Sequence, residues 1–282
     1  YNKMSIQEIC EKYKIIDYTI NVDGSIDVNG SVEISDCGLT ELPLTFNKVT
    51  GQFNCSHNYL TTLKGSPKSV GGGCYLNDND LTSLEFAPKS VGRGFWCNVN
   101  KLTSLKGSPK RVVVDFDCMD NNLIDLKEGP NEVGGSFYCS NNKLTSLEGS
   151  PEKVNYAFYC QYNNLTSLEG GPKKIVNDFK CYNNELTSLE GGPESVGSDY
   201  NCSVNKIINF KGYPNYIGSK FHFFNNPIES ICQEIDVEFI RAFNTFKVLK
   251  DNTINLKRLK YVMEMFDKPI WLETIKKNYE VK

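Results

Sequence analysis

Apolar and polar residues alternate along this chain in a unit that repeats every 21 residues. In one repeat, Phe137 and Cys139 fall on one side of an alternating segment and Tyr138 on the other, which is the period of a β-strand. Leu144 follows as an inward position, and Val133 closes the unit from the other side. Because the same positions are apolar in every repeat, stacked repeats are predicted to form continuous apolar columns.

Asparagine and proline mark the same period. A fixed period of this length is typical of a solenoid, in which each repeat is one coil and neighbouring coils share a core. A buried amide can pair with backbone groups that no longer meet in a strand ladder, so we predict a structural role for the asparagines. They stand at Asn58, Asn79, Asn100, Asn121, Asn142, Asn163, Asn184, Asn205 and Asn226. The prolines are Pro67, Pro88, Pro109, Pro130, Pro151, Pro172, Pro193 and Pro214.

The repeat resembles the leucine-rich repeat family. The segments FYCSNNKL and FYCQYNNL are similar to the second half of the family pattern LxxLxLxxNxL, with Phe and Cys in two of the Leu positions. The trailing LTSLEGSP resembles the short bacterial class, found in effector proteins of pathogens and in large bacteriophages, although this coil is one residue longer. The resemblance covers about Val32 to Ile231. It implies an α/β repeat solenoid, a curved stack with a parallel β-sheet on the concave face, and a function in protein binding.

Both ends of the chain depart from the repeat, as the ends of a solenoid must if its apolar columns are to be covered. Residues 1–31 are predicted to form an N-terminal cap of a helix and a β-hairpin, residues 32–231 about ten coils, and residues 232–282 a C-terminal helical cap. Hairpin turns are expected at Asp23-Gly24 and Asn29-Gly30. Apolar spacing predicts helices near residues 5–15, 235–246, 256–266 and 270–275.

Composition places the chain among ordinary globular proteins. It has 282 residues, of which 39% are apolar and 23% charged, with a formal net charge of -3. No global basic field is present, so a nucleic-acid partner is disfavoured. No stretch approaches the roughly 18 apolar residues that a membrane span requires. The first ten residues lack the charged start and apolar run of a secretory signal.

The eleven cysteines do not have the spacing of a disulfide framework. Leu76 occupies the shared repeat position in one coil, which indicates an apolar packing site, and free cysteine behaves as a small buried hydrophobe. We therefore predict reduced thiols and a cytosolic protein without a metal, with zinc or disulfides as the open alternatives. The cysteines at this position are Cys55, Cys97, Cys118, Cys139, Cys160, Cys181 and Cys202.

No known catalytic motif is present. The chain has two histidines, and neither His57 nor His222 lies in HExxH or beside a GxSxG elbow. No GxxxxGK[ST] motif follows Gly71-Gly72-Gly73. We therefore expect a nonenzymatic protein without a cofactor.

The outward strand positions differ from coil to coil while the inward positions repeat. Exposed aromatic residues beside charged ones are typical of binding hot spots, which predicts a partner-binding face. The alternative is that large side chains only cover the sheet and stack on their neighbours. Turn lysines such as Lys89 and Lys173 are interpreted as a solvated face. The candidate contact residues are Tyr75, Trp96, Asp117, Met119, Tyr138, Tyr159, Tyr162, Tyr182 and His222.

These observations favour a protein-protein interaction module that binds through its concave face. The resemblance to bacteriophage-type repeats implies a host-directed role, such as inhibition of a bacterial defence protein in the host cytoplasm. A binder of a small ligand or nucleotide signal is an alternative, but it would need basic groups beside the aromatic ones. A surface adhesin is a third, weakened by the free cysteines. The partner's identity and the oligomeric state do not follow from the sequence.

Overall fold

A ten-stranded parallel sheet runs through the repeats in the computed structural model, which describes residues 4–282. Each coil contributes one two-residue strand, and Phe116 pairs with Phe95 on one side and Phe137 on the other, so the register advances by one repeat per coil. We call this the long sheet. Its strands are Val32–Glu33, Phe53–Asn54, Cys74–Tyr75, Phe95–Trp96, Phe116–Asp117, Phe137–Tyr138, Phe158–Tyr159, Phe179–Lys180, Tyr200–Asn201 and Phe221–His222.

The inward residues of the long sheet form the predicted columns. Successive phenylalanine rings stack, with centroids 5.5 Å apart from Phe95 to Phe116 and again from Phe116 to Phe137. The cysteine column beside them is fully buried. The chain therefore folds as a solenoid of 21-residue coils with a long parallel sheet, which is the leucine-rich-repeat fold that the resemblance implies.

The asparagines tie each coil to the one before it. The Asn163 amide nitrogen donates to the carbonyls of Cys139 in the preceding coil, at 3.1 Å, and of Cys160 in its own, also at 3.1 Å. Its oxygen accepts the Leu144 N–H at 3.0 Å. The same pattern holds from Asn58 to Asn226, which confirms the predicted structural role.

A second row of strands lies at the valine positions, where the sequence predicts only an apolar corner. Unlike the long sheet, this second strand row is divided into three sheets. The first sheet ends at Ser90–Val91, the second runs from Arg111–Val112 to Lys153–Val154, and the third begins at Lys174–Ile175. Its repeat strands are Phe46–Val49, Ser69–Val70, Ser90–Val91, Arg111–Val112, Glu132–Val133, Lys153–Val154, Lys174–Ile175, Ser195–Val196 and Tyr216–Ile217.

The residue after each of these strands correlates with both breaks, because it is valine there and in none of the other coils. This position is glycine in most coils, and the Gly197 N–H donates to the Ile175 carbonyl of the preceding coil at 2.9 Å. A Cβ atom on Gly197 would lie 2.0 Å from the Val176 oxygen, so a larger residue fits here only if the backbone shifts. Val113 and Val176 occupy this position at the two breaks, and within residues 4–282 neither N–H bonds to the preceding coil's backbone.

Other residues at this position show how much bulk it accepts. Asn155, which is not branched at Cβ, keeps the bond to Val133 at 3.1 Å. Thr50 keeps it at 3.0 Å, where the adjoining strand pairing shifts its register. At the second break a groove opens between the coils, lined in part by Lys153 and Lys174.

The N-terminal segment begins with helix α1, Ile6–Lys12, which starts with a capping box between Ser5 and Glu8. The strands Tyr18–Ile20 and Ile26–Val28 form the predicted hairpin. The second predicted turn, at Asn29-Gly30, is wrong as a hairpin. There the chain crosses from the second strand row, where Ile26–Val28 pairs in parallel with Phe46–Val49, to the first strand of the long sheet.

The C-terminal segment carries three helices near the predicted positions: α2 (Val237–Thr245), α3 (Leu256–Met265) and α4 (Leu272–Ile275). No helix in the described part of the chain is long and apolar enough to cross a membrane. A 3-10 helix and a small sheet are additional to the prediction, over Pro227–Ser230, Leu249–Lys250, Thr253–Ile254 and Glu280–Val281.

These helices pack on the last repeats. The Phe210 ring contacts those of Phe239 and Phe243, with centroids 6.1 and 5.1 Å away, and the Tyr279 hydroxyl donates to the Ile208 carbonyl at 2.9 Å. The division into two caps and a solenoid stays a prediction.

Candidate functional site

The outward side chains of the long sheet form its exposed surface, which we call the sheet face. Strand alternation turns the first residue of each strand inward and the second outward. The register places Tyr75, Trp96, Asp117, Tyr138 and Tyr159 side by side on consecutive strands. Five of the nine predicted contact residues therefore form one unbroken row, which we call the central row.

The aromatic residues of this row occur as two stacked pairs. Tyr75 and Trp96 lie 4.5 Å apart between ring centroids and are parallel within 1°. Tyr138 and Tyr159 lie 4.9 Å apart at 10°. All four side chains are half-buried. Stacking holds the rings in place, so they present a preorganised surface.

Small residues lie beneath the rings. A Cβ atom on Gly94 would come within 2.4 Å of the Trp96 ring, which shows that the indole covers this glycine. Ser136 and Ala157 stand two residues before Tyr138 and Tyr159, and only 2% and 0% of their surfaces are exposed. The rings thus cover the sheet, as the alternative interpretation requires, and still expose part of their surface.

Asp117 differs from the prediction of an exposed contact residue, because only 8% of its surface is accessible. Its short side chain lies at the strand between the two aromatic pairs. One carboxylate oxygen accepts the Met119 N–H at 2.9 Å. Burial, together with the nearby Asp120 and Asp115, raises the pKa of Asp117 from 3.8 to about 6.

The acids of the sheet face fall into two groups. Some have a basic partner: the Asp78 carboxylate lies 2.7 Å from His57, and that of Asp178 lies 3.6 Å from Lys180. The second group has only amide donors: Asp117 accepts from Met119, Asp115 from the Ser136 N–H at 2.7 Å, and Asp120 from the side chain of Asn141. Within residues 4–282, this second group has no lysine, arginine or histidine nitrogen within 4.0 Å.

The remaining predicted residues separate into different places. Met119 is half-buried beside Asp117. Tyr162 is 52% exposed, has a φ of 56°, and packs edge-on against Tyr182 with ring centroids 5.3 Å apart. His222 lies five strands beyond Asp117, or about 24 Å at one strand spacing per coil. The structure therefore joins Met119 to the central row and leaves His222 apart.

The sequence places Lys180 at an outward strand position of this surface but does not include it among the candidate contact residues. Its ammonium group lies 5.0 Å from the centroid of the Tyr159 ring, within cation-π range. The signal was present in the sequence, since Lys180 holds the same strand position as Tyr159 one repeat later.

The cysteine column is structural packing. Burial raises the pKa of these thiols, that of Cys55 to about 12, so they are poor nucleophiles at neutral pH. Their reduced state and the cytosolic setting stay predictions. In the described part of the chain, no group of three or more histidine, cysteine or acidic side chains is arranged to hold a metal ion.

The turn lysines are less free than predicted. The Lys89 ammonium donates to the Gly107 carbonyl of the next coil at 2.7 Å, and Lys173 donates to Gly191 at 2.6 Å. These side chains therefore link coils while remaining exposed.

Comparisons with known proteins add a fold likeness only. No protein-family model matches the chain. No curated protein matches it by sequence. Among solved structures, the chain is similar to YopM from Yersinia enterocolitica WA-314, with 20% identity and a TM-score of 0.45. The match covers 70% of this chain and 47% of that one, so it spans about half of the YopM chain. The fold assignment stands on the repeat register itself.

Proposed function

We propose that this protein is a nonenzymatic interaction module that binds a protein partner on its sheet face. The observation that carries the proposal is the central row, where two rigid aromatic pairs flank Asp117 on a regular scaffold. Aromatic side chains that are already held in place lose little entropy on binding, which is why they recur at binding hot spots.

The partner class is a further part of the proposal. The repeat sequence resembles that of bacteriophage and bacterial proteins, so we propose a bacterial host protein, such as a defence protein that is inhibited in the cytoplasm. The support is this resemblance alone. A nucleotide signal is disfavoured as a ligand, because the acids Asp115, Asp117 and Asp120 would repel its phosphates.

The test is affinity capture from bacterial lysate followed by mass spectrometry, with two matched variants. The first changes Trp96, Tyr138 and Tyr159 to Ala and should no longer capture the protein. The expected loss of binding free energy is roughly 2 kcal/mol or more per hot spot. The second changes Tyr156 and Tyr216 to Ala; both are more than half exposed, lie outside the long sheet, and should leave capture unchanged.

Thermal melting must accompany the capture, because the Trp96 and Tyr138 rings also cover the sheet. Tyr162→Ala provides a milder variant, since this side chain is 52% exposed. If the folded triple variant captures the same protein with the parent's affinity, the sheet face is not the binding site.

A further inference from the structure

At the centre of the sheet face, the register and the side-chain sizes indicate a depression between the two aromatic pairs. Trp96 and Tyr138 lie on either side of the Asp117 strand, two strand spacings or about 10 Å apart at their backbones. The aspartate side chain is much shorter than these rings, so it forms the floor of the depression and the rings form its walls. We call this place the notch.

Negative charge collects at the notch without a basic partner among residues 4–282. Asp117 is at its floor, and the nearby charges of Asp120 and Asp115 contribute to the raised pKa of Asp117. Elsewhere on the face, Asp78 has His57 and Asp178 has Lys180. The notch is thus complementary to a positive charge that the described part of the chain does not supply.

The neighbouring coil shows what such a charge does on this surface. Lys180 lies over the outer side of the second aromatic pair, 5.0 Å from the Tyr159 centroid and 3.6 Å from the Asp178 carboxylate. An aromatic ring and a carboxylate together hold this cation. At the notch, Tyr138 and Asp117 repeat the ring and the carboxylate.

The fold itself does not need the charge of Asp117. Asn54 and Asn201 hold the same strand position in other coils, and their oxygens accept the N–H two residues later at 3.1 and 3.0 Å. Asp117 makes this bond to Met119 at 2.9 Å. An asparagine would serve the backbone equally well, without the cost of burying a charge.

We propose that the notch binds the guanidinium group of an arginine side chain of the protein partner, with Asp117 accepting its N–H groups and Trp96 and Tyr138 on its two faces. This inference rests on the proposed function, because it names the group by which the partner is held. A planar guanidinium between two rings requires about 7 Å, two contact distances of about 3.5 Å, which the spacing allows. Arginine is favoured over lysine because it is planar, stacks on aromatic rings and donates through a fork.

The test is an NMR titration with N-acetyl-arginine methylamide at low ionic strength. The neutral citrulline compound of the same shape is the control ligand. The readouts are the Trp96 indole and the Met119 amide, whose N–H bonds to Asp117. Saturable shifts of both signals with the arginine compound, and none with citrulline, are expected.

Two variants with the same loss of charge sharpen the test. Asp117→Asn keeps the hydrogen bond geometry and should weaken arginine binding at least tenfold, read from the Trp96 indole. Asp78→Asn removes an acid that already has His57 as its partner and should bind within twofold of the parent. Equal responses to arginine and citrulline, or unchanged arginine binding in Asp117→Asn, would overturn the proposal.

The outcome is separable from that of the proposed function. If the arginine compound does not bind while the face variant loses the captured protein, the arginine inference fails and the protein-binding face stands. If the compound binds but the face variant keeps its partner, the notch is a cation site and the proposed binding face is wrong.

Discussion

The long sheet and the second strand row are built from the same 21-residue coils, yet one is continuous and the other is cut twice. In the long sheet the varied side chains point outward from the core, so tyrosine, tryptophan, aspartate and lysine all fit. In the second strand row the residue after the strand faces the preceding carbonyl at close range, and valine ends the pairing there. Sequence variation is therefore free on one side of the coil and costly on the other.

This difference identifies where a repeat protein can acquire new binding specificity. The outer positions of the long sheet can change without altering the distance between coils. The inner amides, such as that of Asn163, hold that distance. A face that varies on a fixed scaffold is the arrangement that recognition requires.

The largest expected effect comes from removing one of the buried asparagines that follow the strands of the long sheet. Asn163→Ala leaves the buried Leu144 N–H without a partner and removes one of the two asparagine side-chain donors from each of the Cys139 and Cys160 carbonyls, which keep Asn142 and Asn184. An unpaired buried group costs about 1 to 3 kcal/mol, so the free energy of unfolding should fall by roughly 3 kcal/mol. Urea denaturation measures the change.

The adjacent Asn164→Ala is the control. Asn164 is exposed and its side chain makes no hydrogen bond within the described residues. Its replacement should therefore change the free energy of unfolding by no more than about 0.5 kcal/mol. Equal stability of the two variants would contradict the structural role of the asparagines.

The next effect concerns the buried charge in the otherwise uniform long sheet. The pKa of Asp117 is about 6 in the folded protein and 3.8 ordinarily, so between these values the unfolded chain releases a proton that the folded chain retains. Stability is therefore lost as pH rises from about 4 to 6, by up to about 3 kcal/mol. Asp117→Asn should be more stable than the parent at pH 7.5 by about this amount and equal to it near pH 3.5.

Melting curves of both proteins across this pH range provide the measurement. Asp78→Asn serves as the comparison, because Asp78 is exposed and paired with His57. A parent and an Asp117→Asn variant that melt alike at pH 7.5 would show that Asp117 ionises without cost.

The smallest effect comes from moving a break in the second strand row. Gly197→Val places a Cβ atom against the Val176 oxygen, 2.0 Å away in the present backbone, and should separate these coils at a cost of about 2 kcal/mol. Faster amide hydrogen exchange at residue 197 is the local sign. The reverse change, Val176→Gly, should slow exchange at residue 176 as the missing bond to Val154 forms.

The two variants test one explanation from opposite sides. If Gly197→Val keeps the protected amide, or Val176→Gly gains no protection, side-chain bulk after the strand is not the cause of the breaks.

The sequence was sufficient to predict the repeat, the long sheet and the role of the asparagines, because all three depend on a pattern that every coil repeats. It was not sufficient for the second strand row. Val133 reads equally well as a corner or as a two-residue strand, and only the close approach at Gly134 distinguishes them. The same limit applies to Asn29-Gly30, whose dipeptide favours a hairpin while the neighbouring coil provides a parallel partner instead.

The residues of the candidate site could be predicted from the sequence, but the degree to which each side chain is buried could not. Alternation places Asp117 outward, yet its exposure depends on the two taller pairs beside it, which belong to other coils. The pairing of Asp178 with Lys180, and the lack of such a base for Asp117 in the described part of the chain, likewise depend on side-chain conformations.

The asparagine hydrogen bonds also bear on the order in which the coils are completed during synthesis. The Leu144 N–H is satisfied by Asn163, which comes 19 residues later, and Asn163 also reaches back to Cys139. During synthesis from the N-terminus, each coil is therefore completed by the next one to leave the ribosome, and only the newest coil lacks partners. The chain can thus assemble in the order in which it is translated, with little incomplete surface at any moment.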